Sequence, residues 1–191
     1  MGKFRESQTA KNLLTAFAGE SQARNRYTYF ARQARADGLM QIADIFDETA
    51  DQECEHALRF FKFFNGGELE ITWRFPAGVV KTTLENLVAA ADGERFEHTQ
   101  MYPGFAQIAR EEGFQRAADT WEAIGISEKQ HEKRYRDLAA NLAAERAFAR
   151  TEQMVWRCRN CGYLHAGQAA PDKCPACVKP RGYFELLAEN W

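Results

Sequence analysis

Glu128-Lys129-Gln130-His131 lies inside the apolar series Ala117, Trp121, Ile124, Glu128, His131, Tyr135, Leu138, Leu142. These positions advance by three or four residues, so they form one stripe of a long helix, and the carboxylate and imidazole fall on the face that has to be buried. An ionised Glu taken out of water without a partner costs several kcal/mol, so it must be neutralised, paired or bound to a metal. Glu53-Cys54-Glu55-His56 repeats the pattern within Ile42, Phe46, Thr49, Glu53, His56, Phe60, Phe63. Single carboxylates interrupt two further stripes: Glu20 among Leu13, Phe17, Arg24, Tyr27 and Ala31, and Glu94 among Leu84, Leu87, Ala91, Met101, Phe105 and Ile108, with Glu97 one turn beyond. One Glu-x-x-His would be weak, because a histidine on an apolar face is more often a satisfied core residue than a ligand. Two copies joined by two more buried carboxylates point to a metal centre.

The four sites form an internal repeat. Glu20 precedes Glu53 by 33 residues and Glu94 precedes Glu128 by 34, so the chain reads twice as a helix with Glu followed by a helix with Glu-x-x-His. Two such halves face to face supply the ligand set of the ferritin-like di-iron carboxylate bundles. The expected fold is therefore mainly α: a ferritin-like four-helix bundle.

At 191 residues and 45% hydrophobic content, the chain suits one domain with a small appendage. A formal charge of -2 gives no reason to expect nucleic acid or an anionic membrane surface as a partner. No apolar run reaches the ~18 residues that span a bilayer. The first 20 residues are too polar for a signal peptide, and Glu6 stands where a myristoylation signal needs Ser or Thr. A cytoplasmic protein is expected. Five cysteines, four of them in Cys-x-x-Cys pairs, suit metal ligation better than a disulfide framework.

Turn signals order the helices. The first runs from Thr9 to about Arg35, Asp37-Gly38 turns into a second over 39–64, and Asn65-Gly66-Gly67 ends it. From there to Val79 the helical period is lost, and the segment is long enough to be the single long crossover of a ferritin-like topology. A third helix starts near Lys81 and should kink at Pro103, just after Tyr102. Gly113 separates it from a fourth over 114–146, and Thr151-Glu152-Gln153 is a candidate linker between a bundle over 1–150 and a small unit over 151–191.

That unit carries Cys158-Arg159-Asn160-Cys161 and Cys174-Pro175-Ala176-Cys177 with 12 residues between them, the pattern of a tetrahedral four-thiolate site. A segment this short needs such a staple to fold. Spacing alone favours zinc. Context turns the reading to iron, because a redox-inert ion adds nothing to a di-iron oxidoreductase, whereas iron held by four thiolates supplies electrons singly. Zinc remains an alternative occupant in isolated protein.

The whole chain resembles the rubrerythrins, a di-iron ferritin-like domain followed by a rubredoxin-like one. The resemblance rests on LLTAFAGESQARNRY around Glu20, ADQECEHA around Glu53, the Glu94 and Glu97 pair, SEKQHEKR, WRCRNCGY, CPAC and the closing FELL. It implies Glu20, Glu53, His56, Glu94, Glu97, Glu128 and His131 as ligands to two non-haem irons, and Cys158, Cys161, Cys174 and Cys177 as ligands to a third iron. It also implies reduction of hydrogen peroxide to water in oxidative-stress defence. The electrons would come from NAD(P)H through a donor protein such as rubredoxin or a linked reductase. Val178 departs from the pattern, since free-standing rubredoxins usually have Gly after the last cysteine; this should alter the amide hydrogen bonds to sulfur and not the ligation. Cys54, beside Glu53, reads as a small packing residue.

Glu97 has no counterpart in the first half, where Ala23 follows Glu20 by three residues. One iron can thus choose between His56 and Glu97, and the resemblance implies that the carboxylate binds the oxidised ion and the imidazole the reduced one. Fe(III), the harder ion, favours the anionic oxygen. Tyr27, two turns from Glu20, and Tyr102, near the Glu94 stripe, are candidates to hydrogen-bond ligand carboxylates or, equally, core tyrosines. Two other functions compete: a ferritin-type ferroxidase or iron-handling protein, which has no use for the four cysteines, and an electron carrier, which leaves five buried carboxylates unexplained. Sixteen residues of helix from His131 to Ala147 span about 24 Å, so a chain's own thiolate site stands far from its di-iron site. A head-to-tail homodimer would bring each beside the other's.

Overall fold

The computed structural model describes residues 2–190. Six α-helices, α1 (Gly2–Arg5), α2 (Gln8–Ala36), α3 (Met40–Phe61), α4 (Thr83–Phe96), α5 (Tyr102–Glu111) and α6 (Gln115–Ala143), precede three strands, β1 (Ala149–Cys158), β2 (Leu164–Ala169) and β3 (Phe184–Leu186). A π-helical segment, Glu97–Met101, joins α4 to α5.

Local chemistry fixes the helix ends. Ser7 caps α2 by accepting from the Ala10 amide at 3.1 Å, and Glu112 accepts from the amides of Gln8 and Thr9, a negative charge at the positive end of the helix dipole. Gly38 takes the left-handed conformation (φ 75°) that turns α2 into α3. Asp37 then accepts from the Thr83 amide and hydroxyl, tying this turn to the start of α4. Thr82 and Glu85 form a capping box there. Residues 64–82 contain no helix or strand and run the length of the bundle as its long crossover, with Trp73 edge-on to Phe105.

α2 pairs with α3, and α4 and α5 pair with α6, as two hairpins packed into a ferritin-like four-helix bundle. The core divides in two. One cluster holds Ala23, Tyr27, Phe30, Phe46, Leu87 and Tyr135. The other holds Leu13, Phe60, Met101, Tyr102, Phe105 and Trp121. On every long helix the buried carboxylates fall between them, so a polar layer crosses an otherwise apolar interior.

Three details differ from the sequence expectations. The proline does not kink the helix after Tyr102. The ladder switches register before it, at Glu97–Met101, with the Tyr102 amide bonded to the Glu97 carbonyl. Pro103 then sits in the first turn of α5, where its missing amide proton costs nothing. α3 and α6 each stop three residues early, α6 because Glu145 adopts φ 56°. Thr151-Glu152-Gln153 lie inside β1 rather than in a linker, at an irregularity between the pairs Ala149↔Ala169 and Met154↔Gly167. The helix-to-strand connection is 144–148.

The sheet order is β2-β1-β3, antiparallel, around Trp156, Cys158, Ala170, Cys174 and Phe184. This unit docks on the start of α3. Arg159 reaches Asp44 at 2.7 Å while also pairing with Glu185. Gly182 lies against the α2–α3 turn so closely that a Cβ there would collide with the Gly38 carbonyl oxygen.

Candidate metal centres

The polar layer is built from all four long helices: Glu20 from α2, Glu53 and His56 from α3, Glu94 from α4, Glu97 from the π-segment, and Glu128 and His131 from α6. One ligand atom each from Glu20, Glu53, His56 and Glu128 lie within 4.8 Å of one another, and so do atoms of Glu53, Glu94, Glu128 and His131. Glu53 and Glu128 belong to both groups. The arrangement is two adjoining sites bridged by two carboxylates, each closed by one more carboxylate and one imidazole. Glu97 belongs to neither group, although it is 9% exposed and the other four carboxylates are fully buried.

Six buried atoms of this layer have no hydrogen-bond partner: Glu20 Oε2, Glu53 Oε1, Glu94 Oε2, both oxygens of Glu128, and His131 Nδ1. They are crowded all the same. His131 Nδ1 stands 3.1 Å from Glu53 Oε1, 2.9 Å from Glu128 Oε2 and 3.6 Å from Glu94 Oε2, and His56 Nδ1 stands 3.0 Å from Glu128 Oε1. Acceptors that converge without hydrogen-bond alignment, each at a penalty of about 1–3 kcal/mol if left so, are what a pair of cations would satisfy. The hard oxygen-rich donor set with one imidazole per site suits iron.

Neighbours aim these ligands. His131 Nε2 donates to Gln52 Oε1 at 2.9 Å, which puts the ring proton on that nitrogen and turns Nδ1 to the cluster. The two expected tyrosines cross the bundle: Tyr27 donates to Glu94 and Tyr102 donates to Glu20. Burial, then the adjacent carboxylates, raise both phenols well above their usual range, so they remain neutral donors.

Without cations the layer balances its charge with protons. Burial, then Glu53, push Glu20 well up, and the same two influences lift Glu94 to about 8. Burial works upward on Glu53 too, but His131 and His56 overcome it and hold its carboxyl at about 2. Burial opposes charge on the imidazoles, yet Glu128 and Glu53 outweigh it and raise His56 to about 10 and His131 to about 12. Cations entering the layer would displace these protons.

The four cysteines meet as expected. Cys158 Sγ is 3.7 Å from Cys177 Sγ, and Cys161 Sγ is 3.7 Å from Cys174 Sγ. Four sulfurs at about 2.3 Å from a central ion stand about 3.8 Å apart in a tetrahedron, so the cage has the right size. The two knuckles are alike: the Cys158 and Cys174 amides donate to the Tyr163 and Lys179 carbonyls, and their carbonyls accept from Gly162 and Val178. Val178, at φ 55°, occupies the left-handed position that Gly162 takes at φ 79°. A β-branched residue there is strained by about 1–3 kcal/mol, yet the Lys179 amide still faces the Cys177 sulfur and lowers that thiol to about 6. Cys54 lines a surface groove with Phe17, Leu58 and Phe61 and takes no part in either cluster.

Sequence reasoning missed Gln52 and the π-segment. Gln52 had only its place beside Glu53 as a signal, and the segment had only Pro103.

A family model described as Rubrerythrin matches residues 11–139, and one described as Rubrerythrin, rubredoxin-like domain, matches residues 156–185. The chain is 56% identical over 191 residues to a rubrerythrin of Nitratidesulfovibrio vulgaris, covering 100% of both chains. A solved structure of fully reduced, all-ferrous nigerythrin is 31% identical with a TM-score of 0.64, covering 95% of this chain and 90% of that one. The bacterioferritin of Desulfovibrio desulfuricans, 21% identical with a TM-score of 0.66, covers 75% of this chain and 85% of that one and shares the bundle fold.

Proposed function

The chain belongs to the rubrerythrin family, with a di-iron carboxylate site and a rubredoxin-like four-cysteine iron site, and on that premise we propose that it is a cytoplasmic hydrogen peroxide reductase. The observation that carries this reading is the pair of ligand groups sharing Glu53 and Glu128 in the same chain as a four-thiolate cage. Bound there, two irons would supply one electron each to the O–O bond of hydrogen peroxide, which with two protons yields two waters.

Glu53 and Glu128, common to both ligand groups, would hold the two ions together, with Glu20 and His56 completing one group and Glu94 and His131 the other. Tyr27 and Tyr102 hold Glu94 and Glu20 in place by donating to the oxygens that face away from the site. Phe60, Trp121 and Tyr102 on one side and Phe46, Tyr27 and Tyr135 on the other keep bulk water from the layer. Glu97, buried but outside both groups, would be the further carboxylate able to exchange with His56. Cys158, Cys161, Cys174 and Cys177 would hold an iron able to return electrons singly, received from a rubredoxin-like donor or an NAD(P)H-linked reductase.

The thiolate unit grips its own chain at Asp44, nine residues or about 14 Å of helix before Glu53. A head-to-tail homodimer would bring each thiolate site beside the di-iron site of the partner chain. The test is peroxide consumption with reduced rubredoxin as donor. Steady turnover supports the reading; a single stoichiometric burst or growth of an iron mineral refutes it in favour of an electron carrier or an iron store.

A further inference from the structure

His131 is held from behind by a closed ring of side chains on α3 and α6. Its Nε2 donates to Gln52 Oε1 at 2.9 Å, Gln52 Nε2 donates to Glu48 Oε1 at 3.3 Å, and Arg134 Nη1 donates to the same Glu48 oxygen at 3.0 Å. Arg134 follows His131 by three residues on α6, and Glu48 precedes Gln52 by four on α3, so each pair shares one helix face. Arg134 Nη2 also donates to Thr49 Oγ1 at 2.6 Å, whose own proton goes to the Ile45 carbonyl at 2.9 Å. The guanidinium therefore grips two consecutive residues of α3, about one turn before the ligand Glu53.

The ring settles a choice that Gln52 cannot make alone. Its amide presents an oxygen and an NH2 of nearly the same shape, and reversed it would set N–H against the N–H of His131. A carboxylate only accepts, so Glu48 takes the NH2 and leaves the oxygen for the imidazole. With its side chain 53% exposed, Glu48 would be free to swing into solvent; Arg134, 19% exposed and fixed at Thr49, keeps the oxygen in place. An ion pair so exposed adds little stability by itself. Its effect is on geometry and polarity: an anion two hydrogen bonds away polarises the amide and makes the imidazole a stronger ligand. Among the described residues His56 has no such ring; its hydrogen-bonded nitrogen is Nδ1, the one that faces the carboxylates.

We propose that Glu48 and Arg134 are positioning residues of the di-iron site, which orient the Gln52 amide and through it anchor His131 on its iron. The anchored imidazole is then the one that stays, at the end opposite the exchange of His56 and Glu97. This rests on the di-iron site of the proposed function and deepens it, adding residues that touch neither iron.

The experiment uses full-length protein as wild type, Glu48→Ala, Glu48→Gln, Arg134→Gln, Gln52→Leu and the double variant Glu48→Ala/Gln52→Leu, with folding checked by circular dichroism. Two quantities are read: iron affinity by competition with a chelator, and solvent exchange of the His131 Nε2 proton by NMR in diamagnetic, zinc-loaded protein. The expected result for Glu48→Ala is about two- to tenfold weaker binding of one iron of the two, the contribution of one hydrogen bond, together with faster exchange of the ring proton. Arg134→Gln moves both quantities the same way, and Glu48→Gln, which still offers a carbonyl to the amide, restores part of both. The double variant binds iron no more weakly than Gln52→Leu, because Glu48 acts through Gln52. Affinity and ring-proton exchange equal to wild type in Glu48→Ala overturn the proposal, and the same result in Arg134→Gln overturns the part of Arg134. A double variant weaker than Gln52→Leu by the full Glu48→Ala factor also overturns it, since Glu48 would then act by its charge alone. Neither quantity depends on turnover, so failure of the wild type to consume peroxide refutes the proposed function and not the anchor.

Discussion

Stripping the iron from the bundle should make its stability fall as pH rises. In the metal-free layer Glu94 titrates at about 8 instead of 4.5, lifted first by burial and then by Glu53. Between those values the folded state holds a proton that the unfolded chain has released, so stability decreases with pH. One proton over the three units from pH 5 to 8 is worth about 4 kcal/mol at 1.4 kcal/mol per unit. His56, raised from 6.5 to about 10, acts in the same direction: its contribution is complete below pH 6.5 and is lost as pH rises through 10. Glu53 sets the acid limit, because with its carboxyl at about 2 its contribution is complete above pH 4.5 and is lost as pH falls toward 2. For a chain of this size 1 kcal/mol moves Tm by about 2–4 °C, so Glu94 alone should make the metal-free protein melt about 8–16 °C lower at pH 8 than at pH 5, and His56 adds to the drop above pH 6.5. Iron displaces these protons, and the loaded protein should hold or gain stability over the same window. Melting followed by the helical circular dichroism signal, with and without iron, tests this. A metal-free Tm that is flat or rises from pH 5 to 8 would refute the proton-balanced layer.

Glu97→Ala should retain both irons, because both bridges and four end ligands remain, but should slow peroxide turnover, whereas Glu53→Ala should lose the metal; iron analysis and steady-state rates separate the two. Changing Cys158 and Cys161 to Ser should abolish turnover with external donors and leave the chemically reduced bundle able to react once, seen as a single-turnover absorbance change. Gln52→Leu frees the second ring nitrogen of His131 and should weaken iron binding about 10–100-fold, measured by competition with a chelator. A mixed dimer in which one chain lacks Cys158 and Cys161 and the other lacks Glu53 and Glu128 should regain one working site if electrons cross between chains; confirmed mixed dimers without activity would show that they do not.

The bundle was legible because a buried helix writes its 3.6-residue period into the chain, and a carboxylate on that stripe cannot be ignored. Glu20, Glu53, Glu94 and Glu128 each interrupt a run of apolar residues, and all four lie between the two core clusters. The thiolate cage was legible for a different reason: its ligands come from two tight turns, so local spacing carries the geometry. Contacts made across helices left no such trace. Gln52 orients His131 from 79 residues away, and no pattern around either residue records the pairing. β1 escaped because Thr151-Glu152-Gln153 are exposed and sit at a register irregularity, without the alternation that marks a strand.

The π-segment explains why a repeated sequence does not make a symmetric site. Each half supplies a Glu and a Glu-x-x-His, and an uninterrupted pair of halves would give two ends that respond alike to oxidation. The residue three beyond the first Glu differs between them. In the first half it is Ala23, buried at 1% exposure against the cluster of Tyr27 and Phe30; a carboxylate there would be driven into apolar core with no cation to meet it. In the second half it is Glu97, where the helical ladder widens by one residue per turn, a distortion common at functional sites. The wider turn leaves Glu97 beside the ligand groups instead of within them. If Glu97 exchanges with His56 as proposed, the exchange therefore belongs to the end that Glu20 and His56 would hold, and the two ends differ in spite of the repeat.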